Sequence, residues 1–562
     1  MKHVIIIGGG ISGLTAAHEL IEQNYKVTLI ERNSQVGGLA RTFQDENNKI
    51  CPYEYSWRAY GQWYQNVYDI MKRIPFSNEE SVYDKLVVFQ GGEKTCEKKI
   101  PEYQGTVSYA PFSDYVKGIG TLIHYYTSCE ERNIKNYSNF GLREKIKELK
   151  LSKYAEDLIG KIVGPYLGFD YQNASVYDTF QAYEMMYSNS SPKESFNITS
   201  LPTSYVWFDP WIKLLKSKGV DIKLNTEVTS IQLNHSIEGI EIYDKINHTK
   251  QYLKADYYIN CTGPEILEKL LNPYKLNNNV SRFYNSINKV SENGRQIQLS
   301  VYYYVNKKIF LDNKNTGAYL PNTPWLLMVL PTGHIWGDEY MSKYCNKEIK
   351  EVISVGICEP YVKGIYIKKP WSECTPDEIR IESWYQMMND SDFINNVCIE
   401  DGIPISELKI IDFKMWDSFI YENGKLDTYE PKWANNKNTI QYRPNSITPI
   451  SNLFVAGAYT NTTTGIFSME SATESGKTAA KQLCKYDNKS ENIMLVKKNR
   501  CMYTYPIRYI DDLIYNEKYI SILIHVIIFA VLLFICSYLI IFIKVKKIIS
   551  KLYKYIRSNL KN

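Results

Sequence analysis

Three patterns of apolar and polar positions divide the chain. Short unbroken apolar runs come first: Val4–Ile7 and Lys26–Ile30 read as strands buried on both faces, with Leu14–Glu22 between them reading as a helix. Similar strands return far downstream at Val220–Leu224, Thr226–Ile231, Asp256–Asn260 and Asn452–Val455, the last leading on to a helix through Gly476 and Ala480. Between them lie a helix-rich stretch, with helical periodicity over Leu142–Ile162, and a strand-rich stretch over about 266–439. The third pattern is a single long run, Tyr519–Ile543, uncharged over 25 residues and followed by lysines. A bilayer span needs about 20 such residues, so this run predicts a transmembrane helix.

Glycines give the first strand–helix pair its meaning. Gly8 permits a tight turn, Gly10 lets backbone approach a pyrophosphate, and Gly13 lets helix and strand pack closely. The helix start at Ile11 and Ser12 turns free amide groups toward phosphate. Glu31, 23 residues after Gly8 and beside Arg32, can accept hydrogen bonds from ribose hydroxyls. The expected fold is α/β: a discontinuous Rossmann-like dinucleotide-binding domain with an inserted α+β substrate domain, plus one C-terminal transmembrane helix. The expected boundaries are 1–85, 205–265 and 440–485 for the first, and 86–204 and 266–439 for the second. A linker at 486–518, the transmembrane helix at 519–543 and a basic tail at 544–562 complete the chain.

After Glu31 comes Val36-Gly37-Gly38-Leu39-Ala40-Arg41, which resembles the GG-doublet of the flavin-containing amine oxidase and phytoene desaturase families. The resemblance implies that Gly37, Gly38 and Leu39 lie along the diphosphate of FAD and that Arg41 contacts the cofactor. Gly219–Ile242 resembles the interrupted middle of the same FAD domain, where Val228 meets the adenine through its backbone. Asn452–Thr460 and Gly465–Ala472 resemble the C-terminal flavin motif. There Gly457 lies beside the ribityl chain, and Phe467-Ser468-Met469 opens a helix aimed at the flavin ring, where its N-terminus stabilises negative charge. One departure stands out: Ala458 occupies a position that is usually acidic or polar, and a hydrogen bond of roughly 0.5–1.5 kcal/mol is lost with it.

The resemblance implies an FAD-dependent oxidoreductase. Such enzymes need no catalytic triad, because the ring itself accepts the hydride, and no catalytic side chain is assigned. Ser468 stands where amine oxidases typically carry an aromatic cage wall. Gln296–Tyr302, matched to the strand on which they commonly place a lysine, has none. Both features favour a desaturase or dehydrogenase acting on an apolar, isoprenoid-like substrate. The alternatives are an amine or polyamine oxidase, an isomerase like UDP-galactopyranose mutase, and a non-catalytic relic. Against the desaturase, Tyr53–Tyr60 lacks the histidine usual after the GG-doublet, although Glu54 and Arg58, four apart, can pair. Trp416, Tyr421, Trp433 and Tyr442 are candidates for the pocket wall or for core packing.

Charge and cysteine usage narrow the partners. Seven basic residues from Lys544 onward account for more than the whole net charge of +5, so no nucleic-acid footprint remains. Eleven scattered cysteines without a Cys-x-x-Cys pair, and seven histidines without ligand spacing, suggest neither disulfides nor a metal site and suit a reducing compartment. No signal peptide opens the chain. A tail-anchored protein with a cytosolic catalytic part and bilayer lipid as a partner is expected, although the excess of basic residues after the span favours the opposite orientation. The small-molecule partner is apolar or an amine, and the oligomeric state is left open.

Overall fold

The computed structural model describes residues 1–45, 50–88, 111–156, 163–188, 196–311, 317–496, 504–516 and 521. The chain clusters into two compact units, Met1–Asp114 with Ser138–Asn499, and Tyr115–Tyr137 with Arg500–Asn562.

The larger unit is built on a five-stranded sheet in the order Leu453–Val455, Tyr257–Asn260, His3–Ile7, Lys26–Ile30, Asp221–Lys223. All of its pairings are parallel. The continuous apolar run at the start of the chain follows from this position. Val4 and Ile6 enter the core shared with Leu14, Ala17 and Ala480, whereas Ile5 and Ile7 enter the core shared with Val228, Ile240 and Leu267. The helix Met469–Tyr486 lies directly on the helix Ile11–Glu22: a Cβ added to Gly476 would stand 2.4 Å from the Ser12 carbonyl oxygen. Thr226–Leu233, Ile237–Asp244 and Thr249–Leu253 form a three-stranded antiparallel layer. A second five-stranded sheet, wholly antiparallel, runs Ala318–Leu320, Leu327–Pro331, Glu351–Ile357, Leu299–Val305, Ile410–Met415.

In the smaller unit the helices Glu130–Tyr137 and Tyr505–Asn516 are tied by the fully buried Asp511, which accepts hydrogen bonds from Cys129 N at 2.8 Å and Arg132 Nε at 2.9 Å.

Three expectations change. Among the described residues no helix is long and apolar enough to cross a membrane, which corrects the fold expected with a C-terminal transmembrane helix. The last described helix, Tyr505–Asn516, has 12 residues and carries Arg508, Asp511 and Asp512, far short of a span. The run 519–543 itself lies outside the described residues apart from Ser521. The periodic stretch 142–162 is not one helix: Leu142–Glu148 ends before Lys150, whose φ of 52° no helix accommodates, and a new turn starts at Lys153. The cysteines are not all unpaired either. Cys51 and Cys345 form a disulfide, and Cys398 is disulfide-bonded as well. Cys51 and Cys345 lie 294 residues apart, so no local spacing announces the pair.

Candidate active site

A cavity of about 770 Å³ opens at the C-terminal ends of the parallel strands, where ligands of open α/β sheets bind. Gly8, Gly10, Ile11, Ser12, Glu31, Arg32, Gly37, Gly38, Leu39, Val228, Gly457, Ala458, Phe467, Ser468 and Met469 all line it. Three stretches distant in sequence thus meet at one place. Gly13 lies beneath: its added Cβ would stand 1.9 Å from the Gly8 carbonyl oxygen, so only glycine allows the loop and helix to meet. Gly10 is open: among the described residues, its chain neighbours apart, only Gly38 Cα comes within 4.0 Å of an added Cβ. The two glycine loops are stitched together by Gly37 N donating to Gly9 O at 2.8 Å.

Glu31 is buried, and its carboxylate accepts from Gly9 N at 2.8 Å and Asn33 N at 2.9 Å. A carboxylate has about four lone-pair sites, so two remain for hydroxyl donors. Burial pushes its pKa up, against those hydrogen bonds. Arg41 does not line the cavity. Its guanidinium donates to both Glu430 carboxylate oxygens at 2.9 and 3.0 Å, to Gly38 O at 2.9 Å, and lies 4.6 Å from the Trp416 ring centre. Arg58 faces the cavity but is paired with Glu54 and donates to Leu39 O at 2.7 Å. Of the four aromatic candidates only Trp433 lines the cavity.

Ser468 has a local task, since its Oγ accepts from Ser471 N at 3.1 Å and caps the helix Met469–Tyr486. The start of that helix, with Met469 and Ala472, faces the cavity.

Sequence reasoning missed Lys432. It sits on the two-residue strand Lys432–Trp433, paired antiparallel with Arg295–Gln296, so the lysine is directly opposite Gln296. Its side chain is buried and lines the cavity. Nζ donates to Gly168 O at 2.6 Å and Gln298 Oε1 at 3.0 Å, and lies 5.3 Å from the Phe467 ring centre. Desolvation lowers its pKa to about 7. The rest of the wall includes Tyr55, Trp57, Tyr319 and Met328.

The donors present fit an FAD: open glycine backbone at a helix start, a carboxylate with free lone pairs, and a second helix N-terminus at the other end. Comparisons with known proteins agree. Residues 6–74 match the NAD(P)-binding Rossmann-like domain family, and residues 425–484 match the flavin containing amine oxidoreductase family. The L-amino-acid oxidase of Bungarus fasciatus is 22% identical over 536 residues, covering 89% of this chain and 90% of that protein. The 4,4'-diaponeurosporene oxygenase of Staphylococcus aureus (strain bovine RF122 / ET3-1) is 22% identical over 287 residues, 46% of this chain and 55% of that protein. Among solved structures, putrescine oxidase bound to putrescine superposes with a TM-score of 0.59 at 12% identity, covering 86% of this chain and 99% of the other, a likeness of fold. Fold, cavity and matches together place the chain in the flavin amine oxidase/desaturase-like superfamily. It is an FAD-dependent oxidoreductase.

Proposed function

We propose that the chain oxidises a small amine, taking hydride from the carbon next to nitrogen. FAD, when bound, supplies the hydride acceptor. In this reading Gly8–Gly13 and the start of the helix Ile11–Glu22 hold the diphosphate, Glu31 the ribose, and Val228 the adenine. Gly457, Ala458 and Phe467–Met469 flank the flavin end.

The observation that carries the reading is Lys432. An amine reaches the protein mostly as ammonium, and the C–H next to an ammonium is a poor hydride donor because the nitrogen lone pair is tied up. A neutral lysine has two N–H groups, which match its two acceptors here, Gly168 O and Gln298 Oε1, and one lone pair besides. With a pKa of about 7 it is half uncharged at neutral pH and can take the substrate's proton at Nζ. The desolvation that acts on Lys432 also lowers the pKa of an ammonium entering beside it, so the transfer is not opposed by the full difference seen in water. Tyr55, Trp57, Trp433 and Phe467 supply aromatic surface that excludes water.

A desaturase acting on an apolar chain is the second reading. Ser468 favours it, because the aromatic wall usual in amine oxidases is missing at that position. Anaerobic mixing of the FAD-loaded protein with putrescine, with L-amino acids and with an isoprenoid separates the two. The amine reading expects the flavin colour to bleach with an amine, at a rate rising with pH around 7, and to bleach far more slowly in Lys432→Met. Bleaching by the isoprenoid alone would reverse the assignment.

A further inference from the structure

Ala458 leaves the flavin end of the cavity without the polar side chain its position usually provides. The same wall nevertheless carries polar atoms with no partner among the described residues. Tyr459 is 2% exposed, and its hydroxyl has the Asn260 side chain beside it, outside good hydrogen-bond geometry, so its O–H proton has no acceptor among the described residues. Asn260, 1% exposed, uses Oδ1 to accept from Thr262 Oγ1 at 3.0 Å, and its side chain faces the Tyr459 hydroxyl without good hydrogen-bond geometry at Nδ2. Glu265 Oε1 is likewise buried and unpartnered; burial raises the carboxyl's pKa, opposed by a hydrogen bond from its own backbone N–H and by Arg295 and assisted by Glu268. Glu265 and Tyr459 both line the cavity. They are brought there by neighbouring parallel strands: Tyr257–Asn260 leads to Glu265 in the first turn of the helix Pro264–Leu271, and Leu453–Val455 leads to Tyr459. Packing fixes the tyrosine, whose ring lies over Gly457, where an added Cβ would come within 2.6 Å of Cε1, and 6.4 Å from the Trp433 ring. Buried polar groups are normally satisfied, so this cluster points to a ligand or to ordered water.

We propose that Glu265 and Tyr459 form the polar anchor for the ribityl hydroxyls of FAD, replacing the side chain that Ala458 lacks. The inference rests on the FAD site assigned above. A hydroxyl-bearing chain suits the pair better than the diphosphate does, because a phosphate beside Glu265 meets a group of its own sign once the carboxyl ionises. Tyr459 can donate or accept, and the carboxyl can accept in either protonation state and donate when protonated.

The test is a titration of flavin-stripped protein with FAD, followed by flavin fluorescence quenching and by the FAD-induced rise in melting temperature. Tyr459→Phe removes one oxygen and nothing else. It should leave the apoprotein's melting temperature unchanged or higher, yet weaken FAD binding about three- to tenfold. Glu265→Ala should weaken it about tenfold, Glu265→Gln less, and Ala458→Asp placed in the Glu265→Ala background should restore most of the loss. Wild-type affinity in both Tyr459→Phe and Glu265→Ala, with water filling the gap, overturns the proposal while leaving the FAD site standing. Wild-type protein that takes up no FAD overturns both.

Discussion

Lys432→Met offers a direct measure of how strongly the cavity resists a positive charge. The lysine's pKa is 10.5 when free and about 7 in the fold. Below pH 7 it is protonated whether the chain is folded or unfolded, and the folded state carries the whole penalty of a buried cation. Between pH 7 and 10.5 the unfolded chain holds the proton and the folded one does not, so stability rises with pH throughout that window. Each unit is worth about 1.4 kcal/mol, giving a total near 5 kcal/mol and a gain of about 2 kcal/mol from pH 7 to pH 9. Methionine fills similar space without a charge. Urea denaturation of wild type and Lys432→Met, each at pH 7 and pH 9, cancels the other titrating groups in the difference. The variant should be the more stable at pH 7, and its advantage should shrink by about 2 kcal/mol at pH 9. A difference that does not move with pH means the lysine titrates normally, and the proton-accepting role assigned to it fails with that result.

Gly168→Ala places a residue at φ 65° with its Cβ 2.4 Å from Lys432 Nζ; it should lower stability by about 2 kcal/mol or more and shift the pH dependence of flavin reduction, both measurable on one preparation. Gly13→Ala drives a methyl group into the Gly8 carbonyl, so apoprotein and FAD titrations should show loss of cofactor uptake and a lower melting temperature. Reduction of Cys51–Cys345, or Cys345→Ser, should lower stability by about 2–5 kcal/mol, and a non-reducing peptide map should recover the linked pair.

What could be read from the sequence was whatever is encoded locally. A glycine loop is specified by its own spacing, so Gly8, Gly10, Gly37, Gly38 and Gly457 were found at the cavity without knowledge of distant residues. Lys432 was not legible, because what places it is a two-residue pairing with Arg295–Gln296 across more than a hundred positions. The segment Gln296–Tyr302 itself holds no lysine, and Lys432 lies on the strand that faces its start. Arg41 shows the same limit from the other side: its sequence position suggests a cofactor contact, but Glu430 and Trp416, remote in the chain, hold its guanidinium. Glu54 and Arg58 do pair, yet not on a helical face. Glu54 ends the strand Ile50–Glu54, where its Oε1 also accepts from Thr42 Oγ1 at 2.5 Å and Thr203 N at 2.8 Å.

The strand order of the parallel sheet also bears on synthesis at the ribosome. The glycine loop at residues 8–13 emerges almost at once, but the edge strand Leu453–Val455 and the helix that roofs it come some 440 residues later. At about 5–20 residues per second, the sheet stays incomplete for roughly 20 s to a minute and a half after the glycine loop emerges, and the flank of Tyr257–Asn260 is uncovered for roughly the last 10–40 s of that time. An open sheet edge invites pairing with other chains. Holdase chaperones should therefore bind this polypeptide during translation, and cofactor should be captured only as the last strand docks.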